Sequence, residues 1–253
     1  MTSKWGSTAV VVGVPALCLA LSGQASAAIQ VFSGGDAGAN STDPRPISNA
    51  TAASFDAAAG ALGHENLITF ESAPVGTYSS LTVVPGVTLT GTDYTGNSAG
   101  QSIRDSPYGN PDSLFGYNTT AGGTNFAFIN GGFITFSFAT GIQAFGAYLT
   151  GLQLNGETVD FSDGTSQSLA IPNFGSGAQF FGFTDPGKTI LSVEINTTST
   201  TYPSGDYVGV DDLRYVGSSA VPEPRTWAMM LAGFVALGYA GVRRSRKSVS
   251  FAA

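Results

Sequence analysis

A serine nucleophile is the first chemistry that this sequence suggests. Gly96-Asn97-Ser98-Ala99-Gly100 matches G-x-S-x-G, the pattern that places a reactive serine on a sharp strand-to-helix turn. Such a serine needs a histidine base, normally later in the chain, whereas the only histidine, His64, precedes it beside a predicted helix end. We therefore interpret the match as accidental.

Carboxylates are the second candidate chemistry, because glycoside hydrolysis needs only a pair of them. The chain has 17 Asp and Glu residues, including Glu71, Glu157 and Glu194, but no spacing among them singles out a pair. We therefore expect the protein not to be an enzyme, and a secreted polysaccharide hydrolase is the third alternative.

The charge is divided unevenly along the chain. Residues 28–220 contain four cations against sixteen acids, a formal balance of −12, although the whole chain carries only −7. Nucleic-acid binding depends on neutralising phosphates with cations, so it is disfavoured. The acidic body is compatible with an exported protein and with Ca²⁺, which takes oxygen ligands.

The N-terminus has the features of a secretory signal peptide over residues 1–27. Lys4 precedes an apolar stretch at residues 9–21, and Ala25-Ser26-Ala27 predicts cleavage after Ala27. Cys18 lies within this segment and follows a leucine where lipidation needs a small residue. The mature protein is thus expected to have no cysteine for disulfides, thiol catalysis or thiolate metal sites.

One helix is predicted in a leader at residues 28–65. Phe55, Ala58, Ala59 and Leu62 follow the i, i+3, i+4, i+7 spacing of an amphipathic helix, with Ser48 or Asn49 as its cap. Its apolar face is expected to cover one end of a sheet core.

Residues 66–217 show a different pattern, in which short β-type runs alternate with Gly, Pro, Asn and Asp. The segment 133–138 places Ile134, Phe136 and Phe138 on one face, as a half-buried strand requires. About nine such runs without helical pattern between them predict an all-β domain. The expected architecture is an antiparallel β-sandwich with jelly-roll-like topology.

The C-terminal segment predicts a marginal membrane helix. Residues 227–242 contain no charge, and a helix of that length spans roughly 24 Å, slightly less than the ~30 Å hydrocarbon core. A linker at 218–226 precedes it. The basic tail at 243–253 is expected to stay cytoplasmic, which leaves the body outside.

The order of these C-terminal parts resembles the PEP-CTERM sorting signal of Gram-negative bacteria, in its Pro-Glu-Pro-x-x-Trp-Ala variant. The matching residues are Pro222, Glu223, Pro224, Trp227, Ala228 and the basic residues Arg243, Arg244 and Arg246. The resemblance implies that an exosortase cuts near the motif and releases or transfers the body. It also implies a cell-surface or extracellular location, with association with exopolysaccharide in biofilm or floc formation.

Acids at the two ends of the predicted sandwich suggest a further resemblance. Glu71 ends the first core strand, and Asp211 and Asp212 lie in the last. This pairing resembles carbohydrate-binding modules and related jelly rolls, which implies that Glu71 and one or both of Asp211 and Asp212 share a structural Ca²⁺; no other cofactor is expected. In the alternative, Glu71 is solvated and the Asp pair ends or bulges an edge.

Loop tyrosines are the candidate sugar contacts, because both tryptophans, Trp5 and Trp227, lie in the targeting segments. A calcium-stabilised carbohydrate-binding module is accordingly the second functional alternative, although these side chains are also compatible with ordinary half-buried packing. The candidate glycan contacts are Tyr94, Tyr108 and Tyr117, with Tyr202 and Tyr207 as further platforms.

Overall fold

The fold is taken from a computed structural model that describes residues 28–153, 157–162, 164–169, 175–186, 188–198, 205–218, 229–235 and 237. Over residues 28–218 these described parts form thirteen strands, all paired antiparallel, and two helices. The elements are β1 Gln30–Asp36, α1 Pro46–Gly60, β2 Glu65–Ile68, β3 Gly76–Tyr78, β4 Ser80–Val84, β5 Val87–Thr92, β6 Gln101–Arg104, α2 Asp112–Phe115, β7 Phe126–Asn130, β8 Phe133–Thr150, β9 Glu157–Phe161, β10 Ser166–Leu169, β11 Ala178–Thr184, β12 Ile190–Asn196 and β13 Tyr207–Gly217.

Strand β8 belongs to two layers. Its first half, residues 133–138, pairs with β12 and β5, and its second half, residues 142–150, pairs with β11 and β13. The rings of Phe136 and Phe145 lie 5.7 Å apart, although nine residues of extended strand would span about 30 Å. The strand therefore bends back between its halves, and the two layers face each other.

The layers enclose one apolar core. The first layer has the order β10-β9-β12-β8-β5-β4, and the second has the order β1-β11-β8-β13-β7-β6-β3, with β2 beside β13. The predicted antiparallel all-β architecture is confirmed, while the jelly-roll assignment stays a prediction. Buried side chains from both layers form the core, among them Leu89, Ile103, Ile129, Ile134, Phe136, Phe145, Leu149, Phe181, Phe183, Val193, Ile195, Val208 and Val210.

The segment predicted as a leader is part of this body. Strand β1 pairs along its whole length with β11 at the edge of the second layer. Helix α1 crosses so closely over β1 that a Cβ atom at Gly34 would collide with Thr51. The folded body thus begins upstream of the expected boundary at residue 66, with a strand whose glycines weaken its β pattern.

Helix α1 covers the outer face of the second layer. Its Phe55 is fully buried and lies 5.6 Å from Phe32 and 5.4 Å from Phe180, measured between ring centroids. Gly146 and Gly182 are cross-strand partners beneath it, and a Cβ at Gly182 would come within 2.8 Å of the Phe55 ring. Two paired glycines therefore form the hollow that accepts this ring.

The start of α1 differs from the expectation. The helix begins at Pro46, so Ser48 and Asn49 lie inside it, and neither is the cap. The cap comes instead from Asp36 at the end of β1, whose carboxylate accepts the backbone N–H groups of Ile47 at 3.0 Å and Ser48 at 2.8 Å. An acid from another element was not visible in the local pattern around the helix.

Replacing Phe55 with alanine tests the packing of α1. The change empties the hollow above the paired glycines, and we expect it to lower the free energy of unfolding by about 3–5 kcal/mol, as large-to-small core substitutions do. Ile47→Ala is the control, because Ile47 lies on the same helix and is 55% exposed. Denaturant unfolding measures both, and equal losses for the two variants would contradict the packing described.

Candidate functional site

Glu71 holds one end of the loop formed by residues 117–125. Its carboxylate accepts the backbone N–H of Thr124 at 3.0 Å and that of Asn125 at 3.1 Å, and the side-chain amide of Asn118 at 2.8 Å. Gly123 packs so closely on this carboxylate that a Cβ atom there would collide with it. Glu71 is therefore a hydrogen-bond anchor for the 117–125 loop.

Asp211 holds the middle of the same loop from β13. Its side chain is fully buried, and Oδ2 accepts the backbone N–H groups of Thr119 at 2.6 Å and Thr120 at 3.0 Å. Its other oxygen, Oδ1, is buried without a hydrogen-bond partner. Burial, followed by the neighbouring charge of Asp212, raises the pKa of Asp211 to about 7.

Asp212 completes the anchoring with a strained backbone. Its carboxylate accepts the hydroxyl of Thr120 at 2.7 Å and that of Thr119 at 3.3 Å. Its φ of 47° lies in the left-handed region, which costs of the order of 1 kcal/mol for a residue other than glycine. This conformation turns two successive acids of one strand toward the same loop.

The three predicted calcium ligands thus meet on one loop, but they do not form a cluster. Among the described residues, no group of three or more His, Cys, Asp or Glu side chains is placed to hold a metal ion. Glu71, Asp211 and Asp212 accept N–H and O–H donors of the 117–125 loop. Glu71 is exposed as well as hydrogen-bonded, and β13 shifts its register between Asp211 and Arg214. The alternative of a solvated Glu71 and a bulged Asp pair is therefore compatible with the structure, and calcium binding stays a prediction.

A polar cleft of about 340 Å³ lies beside the 117–125 loop. Arg45 and Asp105 supply charges of opposite sign, and the Nη2 of Arg45 donates to the carbonyl of Thr119 at 3.0 Å. Hydroxyl, amide and glycine backbone groups make up most of the wall. The lining residues are Ser41, Arg45, Asp105, Ser106, Pro107, Tyr117, Asn118, Thr119, Thr120, Ala121, Gly122, Gly123, Thr124 and Phe126.

Tyr117 is not a surface platform, contrary to expectation. Only 1% of it is exposed, and its hydroxyl donates to the carbonyl of Ala39 at 2.7 Å. Burial raises the pKa of Tyr117 well above its usual range. Its position within a polar loop gave no sign that the ring turns inward, so the prediction of a glycan contact here is wrong.

Tyr94 and Tyr108, in contrast, lie at the surface beside Tyr207. Half of each of the first two is exposed. The ring of Tyr108 stacks on that of Tyr207 at 4.8 Å with an interplanar angle of 19°. Burial, followed by the nearby phenols of Tyr108 and Tyr94, raises the pKa of Tyr207. We call these three residues the tyrosine platform; Tyr202 lies outside the described residues.

Residues that the sequence analysis missed support this platform. Phe128 on β7 stacks under Tyr108 at 5.4 Å, and Phe115 of α2 packs against Tyr207 at 6.0 Å. The guanidinium carbon of Arg104 lies 5.4 Å from the Tyr108 ring centre and 5.2 Å from that of Phe128. The alternation of Phe126 and Phe128 with core residues was the available signal, because it puts both rings on the outer face.

The predicted sorting segment is described only in part. Residues 229–235 and 237 are helical, and their apolar side chains are exposed, including 75% of Met229 and 72% of Leu237. Within the described residues, no helix has both the length and the apolar character to cross a membrane. The signal peptide, the Pro-Glu-Pro residues Pro222, Glu223 and Pro224, then Trp227, Ala228, Arg243, Arg244 and Arg246 lie outside the described residues.

Comparison with known families gives a clear match for this segment. The PEP-CTERM protein-sorting motif matches residues 220–247, and the chain is therefore a PEP-CTERM protein. The motif implies export, processing by an exosortase and a surface or extracellular location.

Other comparisons add little. No curated protein matches the chain in sequence. Among solved structures, the chain is similar to the family 11 carbohydrate-binding module of the cellulosomal cellulase Lic26A-Cel5E of Clostridium thermocellum, with a TM-score of 0.27 and 9% identity over 61% of this chain and 95% of the module.

The buried carboxyl of Asp211 predicts a pH-dependent stability. Its folded pKa of about 7 lies above the ordinary value of 3.8, so folding takes up a proton between these values and stability falls as the pH rises through that window. Asp211→Asn keeps an oxygen acceptor but cannot ionise. We expect it to remove a pH-dependent loss of up to about 4 kcal/mol between about pH 4 and pH 8.

Melting temperatures of the wild type and the variant across this range provide the measurement. Asp105→Asn is the control, because Asp105 is an exposed acid in the nearby loop, and it should leave the slope unchanged. If Asp211→Asn and the wild type lose stability in parallel as the pH rises, the burial effect described for Asp211 is wrong.

Proposed function

We propose that this protein is a non-enzymatic component of the bacterial surface or extracellular matrix, sorted by an exosortase and associated with extracellular polysaccharide in biofilm or floc formation. The observation that carries the proposal is the PEP-CTERM motif at residues 220–247. The all-β body between the two targeting segments is the part that performs the function after sorting.

The route of export follows from both ends of the chain. Residues 1–27 act as a signal peptide that is removed after Ala27. Residues 227–242 hold the C-terminus in the membrane until the exosortase cuts, and the basic tail keeps its end on the cytoplasmic side. The body has a formal charge of −12 and the tail is cationic. This difference agrees with export of the body and retention of the tail on the cytoplasmic side.

Pro222 and Pro224 give the exosortase an extended substrate. A proline fixes its own φ and disfavours helical conformation in the residue before it, so Val221 and Glu223 stay out of a helix. The peptide next to the membrane is then accessible to a protease along its backbone.

A second candidate function, carbohydrate binding by the body, is favoured by the tyrosine platform. Two half-exposed tyrosines on one surface offer flat amphipathic rings, which suit sugars. This function is compatible with the first, because a sorted matrix protein needs a body that holds polysaccharide.

Mass spectrometry of the protein exported by its native host tests the sorting proposal. We expect an N-terminus at Ala28 and a C-terminus close to Pro222–Pro224, without residues 227–253. Glu223→Ala within the motif should slow processing and leave the longer C-terminus, whereas Glu65→Ala in the body should not. An exported wild-type protein with an intact Ala253 would rule out sorting by an exosortase.

A further inference from the structure

Tyr108 is half exposed and at the same time packs against neighbouring aromatic rings. It stacks nearly parallel to Phe128 at 5.4 Å and to Tyr207 at 4.8 Å, each with an interplanar angle of 19°. Phe128 is itself 2% exposed on strand β7, so the base of the stack is fixed by the sheet. Packing therefore fixes the orientation of the Tyr108 ring in the unbound protein, which lowers the conformational entropy lost on binding.

Polar groups surround this flat ring. The phenols of Tyr108 and Tyr94 both lie near that of Tyr207, where they add to the effect of burial in raising its pKa. The guanidinium of Arg104 lies beside the Tyr108 ring, and its Nε donates to the carbonyl of Ser106 at 3.0 Å. Its two Nη atoms remain as possible hydrogen-bond donors to a ligand. A sugar has apolar C–H faces and a rim of hydroxyls, and rigid amphipathic tyrosines with nearby donors and acceptors match both.

The polar cleft continues from the tyrosine platform. Asp105, Ser106 and Pro107 line the cleft, and Pro107 is bonded to Tyr108, so their Cα atoms are about 3.8 Å apart. The cleft volume of about 340 Å³ lies within the usual size of ligand sites. Phe126 of the cleft wall also contacts Phe128, on which Tyr108 stacks. Platform and cleft are therefore neighbours, and a ligand that used both would be several sugar units of one chain rather than a single terminal sugar.

Charge favours an uncharged polysaccharide. Charges at the site itself balance: Arg45 and Asp105 line the cleft, Arg104 lies beside Tyr108, and Ser41 of the cleft wall donates to the carboxylate of Asp112. The body contains four cations against sixteen acids. Screening limits the effect of charges beyond about 8–10 Å, so the site offers an acidic polymer no net positive charge, and the surrounding acidic body disfavours it, whereas neutral hydroxyls need no counter-charge.

From these observations we propose that the tyrosine platform and the adjoining cleft bind a chain of uncharged sugars, with Tyr108 as the main stacking residue and Tyr94, Tyr207 and Arg104 at its rim. This inference rests on the proposed function, association with extracellular polysaccharide. It adds the binding site on the body and the class of polysaccharide that the site would bind.

Affinity electrophoresis of the purified full chain tests this site. The gels contain polysaccharide extracted from the host, the neutral polymers hydroxyethyl cellulose, galactomannan or dextran, or acidic alginate. We expect retardation by at least one neutral polymer or by the neutral fraction of the host extract, and none by alginate. Tyr108→Ala should weaken binding at least about fivefold, as truncation of an aromatic anchor does, and Tyr94→Ala should weaken it less.

Two matched variants separate stacking from general damage. Tyr108→Phe keeps the ring and should retain most of the affinity. Leu191→Ala truncates a side chain of similar exposure, 43%, on β12 of the other layer, and should bind like the wild type. Melting temperatures close to that of the wild type establish that each variant is folded.

The outcomes distinguish this inference from the proposed function. Neutral binding that Tyr108→Ala and Tyr94→Ala leave unchanged overturns the site, while polysaccharide association itself stands. Retardation by alginate in preference to the neutral polymers overturns the sugar class. Absence of binding to every polymer, including the host extract, overturns the inference, whereas the processed C-terminus found by mass spectrometry still supports sorting.

Discussion

The bend in strand β8 is the constraint on which the fold depends. One strand pairs with β5 and β12 in its first half and with β11 and β13 in its second half. The contact between Phe136 and Phe145 closes the two layers on each other. Because four strands take their register from β8, the position of the outer elements is set by where this strand turns.

The outer face of the second layer carries every feature with functional interest in the described residues. Helix α1 covers the part of this face over β11 and β8, where Gly146 and Gly182 leave room for Phe55. Beyond it, loops cover β13, β7 and β6, and the buried Asp211 fixes the 117–125 loop there. Burying a carboxyl costs free energy, above all when one of its oxygens has no hydrogen-bond partner, as Oδ1 of Asp211 has none. This cost is offset by the two backbone N–H groups that donate to Oδ2.

The sequence pattern predicted where β-strands occur better than it predicted how those strands connect and which elements pack against them. The 133–138 run was recognised as a strand, but not as the first half of the longer strand β8, because nothing in the residues after it shows whether the chain turns or bends. The 28–65 segment was assigned to a leader because glycines such as Gly34, which α1 crosses closely, are weak β formers and obscure strand β1. The choice of Asp36 as the helix cap depends on how a strand end meets a helix, which is tertiary information.

The same limit applies to the candidate site. Glu71, Asp211 and Asp212 were grouped through a resemblance that implies a shared cation, and the structure brings all three to one loop. A loop of N–H donors satisfies carboxylates as a cation does, and sequence spacing cannot distinguish the two. The inward turn of Tyr117 and the exposure of Tyr108 likewise follow from packing, since both residues occur in similar Gly- and Asn-rich surroundings.

Strand β13 gives the body a direction. It begins at Tyr207 in the platform and ends at Gly217, and the sorting motif starts only three residues later, at position 220. Ten steps of extended strand cover roughly 30 Å. If the proposed sorting leaves the body attached to the cell envelope through its C-terminal end, the aromatic surface lies at the opposite end of β13 from the point of attachment.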